Sequence, residues 1–188
     1  MALLIAGLVL FFGIHLVPTV PALRARWVDA SGEERYRRIF ALVAALGLAL
    51  IVIGYIVAPR GAQLFAPSSA ARSIAPLVMV VSFMLLASAN MKTHIRARLR
   101  HPMLIGIILW SLVHLCANGD AKGTLLFGSF LAYSVVDLAS AMRRGAVKSF
   151  VPMHKYDIMA IVGGIVAAFA VMLLHRLMFG VPAVWWSL

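Results

Sequence analysis

Six long apolar runs, separated by short polar segments, constrain this chain more than any other feature. They cover residues 3–23, 39–58, 74–91, 103–117, 125–141 and 158–179. A hydrocarbon core of about 30 Å needs about 20 apolar residues for each helical crossing, so the fourth run must borrow residues from its flanks. The pattern predicts an all-α, polytopic transmembrane bundle of about six helices.

Composition agrees with that prediction. The 188 residues are 63% hydrophobic and 12% charged, whereas soluble domains are about half apolar and a quarter charged. We therefore expect a single transmembrane domain over residues 1–188, with the lipid bilayer as its surroundings. The net charge of +11 would suggest nucleic acid in a soluble protein, but here the basic residues lie between apolar runs, and no nucleic-acid partner is expected. Cys116 is the only cysteine, so no internal disulfide can form.

The basic residues predict the orientation in the membrane. The first, third and fifth loops hold 5, 4 and 4 Lys or Arg residues, while the second and fourth hold 2 and 1. By the positive-inside rule, the odd loops are cytoplasmic and both termini lie on the outer side. This predicts a multi-pass protein of the bacterial inner (cytoplasmic) membrane with periplasmic termini. Trp185 and Trp186 are expected to anchor the chain at the interface.

Two histidines inside the apolar runs are the candidate ligands of a buried metal. With a rise of 1.5 Å per residue, His15 is roughly 20 Å from the outer face and His114 about 13 Å, so their depths differ by roughly 7 Å. Two imidazoles at similar depth could hold one metal ion or one haem iron. Alternatively, each histidine is a buried residue bonded to a neighbouring helix.

The fourth run presents a regular stripe of residues. Gly106, Trp110, His114 and Asn118 are spaced by four and therefore share one helical face. The glycine allows a close helix approach, and the tryptophan provides a flat wall beside His114. Such a stripe suits a planar ligand, although ordinary helix packing would produce the same spacing.

Other polar or helix-breaking residues are given structural roles. We expect Asp137 to pair with Arg143 or Arg144 one to two turns on. His175 and Arg176 are expected near the outer interface, where a long basic side chain can reach the headgroups. The histidines in the loops, His94, His101 and His154, are expected to be solvated. Two prolines, Pro18 and Pro21, are expected to kink the first helix.

With these residues laid out, the chain resembles the NnrU family of bacterial membrane proteins, which is related to the plant and cyanobacterial 15-cis-zeta-carotene isomerase. The match is strongest at Arg-His-Pro-Met-Leu-Ile-Gly, residues 100–106, and continues through Leu109-Trp110, His114-Leu115, Asn118-Gly119-Asp120 and residues 126–130. It covers almost the whole length. The first and last helices match mainly by pattern and by His15.

The resemblance implies a haem b held in the membrane by two histidines, which His114 and His15 would supply. The four-residue spacing of the stripe would then place Trp110 and Gly106 beside the cofactor. In the isomerase branch a cysteine three residues before the second histidine can replace a ligand. Here that position is Ser111, and Cys116 lies on the other side of His114. The family is associated with nitric oxide and nitrite metabolism in denitrification, but the resemblance implies no defined reaction and no catalytic residue.

Three functions from different classes remain open on these grounds. The first is a haem-binding membrane protein, with isomerase or oxidoreductase activity as the enzymatic options. The second is a membrane S-adenosylmethionine-dependent methyltransferase, because Arg100-His101-Pro102 with Gly106 also resembles the isoprenylcysteine carboxyl methyltransferases. Against it, Met103 and Leu104 follow the His-Pro pair and the tail is apolar. The third is a non-catalytic assembly subunit with unidentified membrane partners.

Overall fold

The computed structural model describes residues 1–145 and 149–184. Within these ranges the chain forms eight α-helices and no strand: α1 Ala2–Leu16, α2 Pro21–Ser31, α3 Glu33–Val57, α4 Ser69–Ser88, α5 His94–Leu99, α6 Pro102–Asn118, α7 Ala121–Arg143 and α8 His154–Phe179. A short 3-10 helix, Val17–Thr19, follows α1. The predicted all-α class is confirmed. Trp185 and Trp186, the predicted interfacial anchor, lie outside the described residues.

Five of the described helices are long and apolar enough to cross a membrane: α1 with its 3-10 extension, α3, α4, α7 and α8. α6 is also apolar and has 17 residues, so it is about 26 Å long at 1.5 Å per residue. α6 extends one residue beyond the apolar run at each end, to Pro102 and Asn118. This extension was expected because the fourth apolar run is the shortest of the six. Large apolar side chains on these helices point outward; Leu42 is 71% exposed and Val166 is 62% exposed. Such surfaces require lipid contact, so the protein is a multi-pass membrane protein.

The chain divides into two compact units, Met1–Ala62 and Gln63–Leu188. The first unit contains α1 to α3, and the second contains α4 to α8. A single transmembrane domain over residues 1–188 stays a prediction.

Glycines bring α1 and α3 together in the first unit. A Cβ on Gly7 would lie 2.6 Å from the backbone nitrogen of Ile51, and one on Gly54 would lie 2.5 Å from that of Leu4. Neither contact is possible for a real side chain, so only glycine allows the two backbones to approach this closely. Gly47 makes the same kind of approach to Phe11.

The first apolar run is not one helix. α1 ends at Leu16, Pro18 lies in the 3-10 turn, and Pro21 starts α2. The prolines disrupt the helix where the kink was predicted, but a single kinked helix over residues 3–23 is wrong. The helix ends instead, because each proline removes a backbone donor and clashes with the preceding turn. The predicted first loop, residues 24–38, is wrong as a loop. Most of it is helical, and Arg24 of α2 pairs with Glu33 of α3 at 2.7 Å.

In the second unit, α4 packs against both α6 and α8. At the first crossing the Ser82 hydroxyl donates to the Gly106 carbonyl oxygen at 2.8 Å. At the second, a Cβ on Gly164 would lie 2.5 Å from the Cα of Met84. Small residues thus set the distance between the helices on both sides of α4.

The Asn118-Gly119-Asp120 segment is a structured turn between α6 and α7. Gly119 has φ +74° and ends α6 in the left-handed conformation, while the Asp120 side chain accepts a hydrogen bond from Gly123 N and caps α7. The Gly119 carbonyl accepts from Leu64 N at 2.8 Å, which ties the turn to the segment before α4. A side chain on Gly119 would collide with the Phe65 carbonyl oxygen. Part of the motif that resembles the family therefore serves the fold.

The predicted ion pair on α7 is confirmed for one of its two candidate partners. Arg144 lies 3.8 Å from the Asp137 carboxylate. Tyr133, one turn earlier, donates its hydroxyl to the same carboxylate at 3.2 Å. Asp137 is thus a structural residue near the end of α7.

Candidate functional site

His114 lies near the C-terminal end of α6, and its orientation is set by its own helix. Its Nδ1 lies 2.8 Å from the carbonyl oxygen of Trp110. A carbonyl oxygen can only accept, so Nδ1 is the protonated nitrogen and Nε2 has the lone pair. The His114 carbonyl accepts in turn from the Asn118 side-chain amide at 2.6 Å. The Nδ1 bond fixes the ring and directs Nε2 away from the helix backbone.

Aromatic rings from α6 and α7 surround this imidazole. The Phe127 ring centroid lies 4.8 Å from that of His114 and 5.2 Å from that of Trp110. Phe130 contacts Trp110 edge to face at 5.2 Å. The expected flat wall beside His114 is thus present, and α7 contributes two of its rings. Such a surface is suited to a planar apolar group.

Gly106, at the other end of the stripe, faces α4. A Cβ there would lie 3.0 Å from the Ser82 carbonyl oxygen and 3.3 Å from the Leu85 Cβ. The predicted close helix approach is confirmed. Ser111, where the related isomerases have a cysteine, is fully buried and donates its hydroxyl to the Ile107 carbonyl oxygen at 2.7 Å.

His15 belongs to the first unit and lies in the last turn of α1. Its Nδ1 lies 2.6 Å from the Phe11 carbonyl oxygen, the same i to i−4 bond that His114 makes. Phe11 stacks on the imidazole at 4.1 Å and Phe40 of α3 approaches it at 5.1 Å. The predicted depth of roughly 20 Å for His15 counts residues from the N-terminus, all of which lie in α1, and it stays a prediction.

A third membrane histidine also bonds a backbone carbonyl through Nδ1, but this carbonyl lies beyond the end of its own helix. His175 of α8 lies with its Nδ1 2.7 Å from the Val181 carbonyl oxygen. Its helix α8 and α6, the helix of His114, both pack on α4. Spacing along the chain could not show this, because it does not tell which helices are neighbours.

The Arg-His-Pro motif forms a strained turn between α5 and α6. Arg100 has φ +63° and ψ −48°, and His101 N donates to the Leu99 carbonyl oxygen at 2.7 Å. This is a γ-turn of the rare, strained type. Pro102 then occupies the first turn of α6, where its missing N–H costs nothing. The motif thus reverses the chain in three residues.

His101, expected to be a solvated loop residue, is half-buried. Its Nε2 is buried and has no hydrogen-bond partner among the described residues. Beside it lies a cavity of about 120 Å³, which Leu99, Arg100, Ala141, Met142 and Gly145 also line. Pockets for drug-sized ligands occupy about 300–1,000 Å³. This cavity therefore gives no support to the methyltransferase hypothesis.

A protein-family model named NnrU protein matches residues 3–183. The chain belongs to the NnrU family. The match includes both units and every candidate ligand, from His15 to His175. No curated protein and no solved structure gives a significant match to this NnrU protein.

Proposed function

We propose that this NnrU protein binds haem b through His15 and His114 in the bacterial inner membrane, with both termini on the periplasmic side. One shared observation supports the ligand assignment. Each imidazole bonds through Nδ1 to the carbonyl oxygen four residues earlier, at 2.6 Å and 2.8 Å, and so has its lone pair on Nε2. Histidines that bind metal ions usually hold their other ring nitrogen in such a bond, which fixes the tautomer and raises the basicity of the ligand.

The surroundings of both histidines fit a haem. The iron needs neutral imidazole ligands, and the porphyrin is planar and largely apolar. Trp110 and Phe127 give His114 an aromatic wall, while Phe11 and Phe40 contact His15. These side chains would exclude water from the cofactor and orient its plane.

A bound haem would supply one-electron chemistry. The proposed role is therefore in nitric oxide and nitrite metabolism during denitrification, with oxidoreductase or isomerase activity as the reaction classes. The protein's own part is to hold the imidazoles in one tautomer and to keep the site dry. With Ser111 bonded to the Ile107 carbonyl, no thiol stands at the position where the isomerase branch has its alternative ligand.

The absorption spectrum tests this proposal. Protein purified in detergent from haem-replete cells should show a Soret band that weakens in His15→Ala and in His114→Ala. His101→Ala, a histidine of the cytoplasmic turn, is the matched control and should keep the band. Folded wild-type protein without a Soret band would contradict haem binding. Titration with S-adenosylmethionine and co-purification with membrane partners would then separate the two other functions.

A further inference from the structure

Two histidines and a carboxylate meet where α5 and α8 begin. His94 is the first residue of α5, His154 is the first of α8, and Asp157 lies in the first turn of α8. His94 Nδ1 lies 2.6 Å from Asp157 Oδ2, and its backbone N–H donates to Oδ1 at 2.8 Å. The two imidazole rings stack with centroids 4.5 Å apart.

The backbone holds these groups in place. Met153 N, immediately before α8, donates to the Lys92 carbonyl oxygen, two residues before α5, at 2.9 Å. Thr93 is fully buried and caps α5 by accepting from Arg96 N at 2.9 Å. The starts of the two helices are thereby fixed side by side. Asp157 and both histidines belong to rigid helix ends rather than to loose loops.

We propose that His94, His154 and Asp157 bind one divalent transition-metal ion of the Zn²⁺ class. Each residue offers one ligand atom, and these atoms all lie within 4.8 Å of one another. Metal–ligand bonds of about 2.0–2.2 Å place tetrahedral ligands roughly 3.4 Å apart. The metal ion would replace the proton of the 2.6 Å hydrogen bond between His94 and Asp157, which is released on binding, and the exposed His154 side chain can rotate toward the ion. Three protein ligands leave a fourth position for water, as in open zinc sites.

The donor set and its charge select the class of metal. Two imidazoles and one carboxylate suit Zn²⁺ and its first-row neighbours, whereas Mg²⁺ and Ca²⁺ prefer oxygen ligands. The helix ends that carry the three ligands also carry basic side chains. Their positive charge disfavours a cation that binds by electrostatic attraction without strong imidazole bonds. Two of these basic side chains rest on aromatic rings: Arg96 over Phe150 at 4.9 Å and Lys155 over Tyr156 at 5.1 Å.

This site is separate from the proposed haem site. His114 lies 12 residues along α6 from Pro102, which corresponds to about 18 Å, and α5 with His94 ends just before that start. By the predicted orientation, the metal lies at the cytoplasmic surface and joins the third loop to the fifth. Ligand loss at one site should therefore leave the other intact.

Calorimetric titration of untagged, chelator-treated protein with Zn²⁺ tests the site, because a histidine tag would itself bind the ion. Wild type should bind one equivalent, and His154→Ala should weaken binding about tenfold or more. His154 is the decisive variant since it is exposed, whereas Asp157 also bonds the α5 backbone. His101→Ala is the matched control and should bind as wild type.

Cobalt gives a second measurement that is independent of affinity. Co²⁺ bound at the three ligands should give visible absorption bands of tetrahedral type in wild type and in His101→Ala, but not in His154→Ala. Melting temperatures measured without metal should agree among the three proteins. Absence of Zn²⁺ heat in wild type, or equal binding by His154→Ala, would overturn the proposal.

Discussion

The Ser82 hydroxyl donates to the Gly106 carbonyl oxygen at 2.8 Å, at the point where α4 and α6 cross. The acceptor is a backbone carbonyl of α6, and the donor side chain, Ser82, is completely buried. The bond is possible only because Gly106 has no side chain to separate the helices. α6, which contains His114 near its C-terminal end, is thereby fixed against α4 near its N-terminal end.

Gly106→Leu should lower the yield and the melting temperature, because even a Cβ at this position would lie 3.0 Å from the Ser82 carbonyl. Overpacking of this kind costs about 1–3 kcal/mol. Ser82→Ala removes only the hydrogen bond and should cost about 0.6 kcal/mol, the average for such bonds between membrane helices. Thermal unfolding in detergent compares the variants. Unchanged stability of Gly106→Leu would show that this residue faces lipid instead.

Two adjacent glycines of α8 provide a matched test of the other crossing. A Cβ on Gly164 would lie 2.5 Å from the backbone of Met84, whereas one on Gly163 meets nothing within 4 Å. Gly164→Ala should therefore destabilise the protein by about 1–3 kcal/mol. Gly163→Ala should be neutral or stabilising by up to about 1 kcal/mol, because alanine favours the helix. Equal melting temperatures for the two variants would contradict the packing of α8 on α4.

Ligand exchange should test the proposed histidine ligands of the haem iron. If His15 and His114 bind haem from opposite faces, His114→Ala leaves an open position and should bind carbon monoxide or nitric oxide readily. His175→Ala should keep the six-coordinate spectrum. Magnetic circular dichroism of both variants is the measurement. The helices of His114 and His175 both pack on α4. Loss of the bis-histidine signal in His175→Ala with retention in His15→Ala would therefore make His175 the second ligand.

Reporter fusions should establish the orientation. A periplasmic reporter fused after residue 188 should be active, since 13 basic residues in odd loops oppose 3 in even loops. The same reporter fused after Arg98, in the predicted third cytoplasmic loop, should be inactive. Activity with the opposite pattern would reverse the topology, and with it the side on which the proposed zinc site lies.

Local sequence determined the all-α class, the approximate positions of six apolar helices, the break at Pro18 and Pro21, and the Asp137–Arg144 pair. Each depends on hydropathy summed over a window, on proline's missing N–H, or on residues a turn or two apart. The close approach at Gly106 was predicted for the same reason, although its partner was not. Helices α2 and α5 were missed because they are too polar or too short for a hydropathy window to detect.

Tertiary structure alone decided which residues meet. His94 and Asp157 are 63 positions apart, and both lie in segments whose charge had indicated only solvated loops. The helices of His114 and His175 likewise both pack on α4, which the sequence could not show. Helical periodicity shows which residues share a face, but an apolar surface gains nearly the same energy against lipid as against another apolar helix. Partner choice therefore depends on glycine contacts and interhelical hydrogen bonds, which exist only once the helices are assembled.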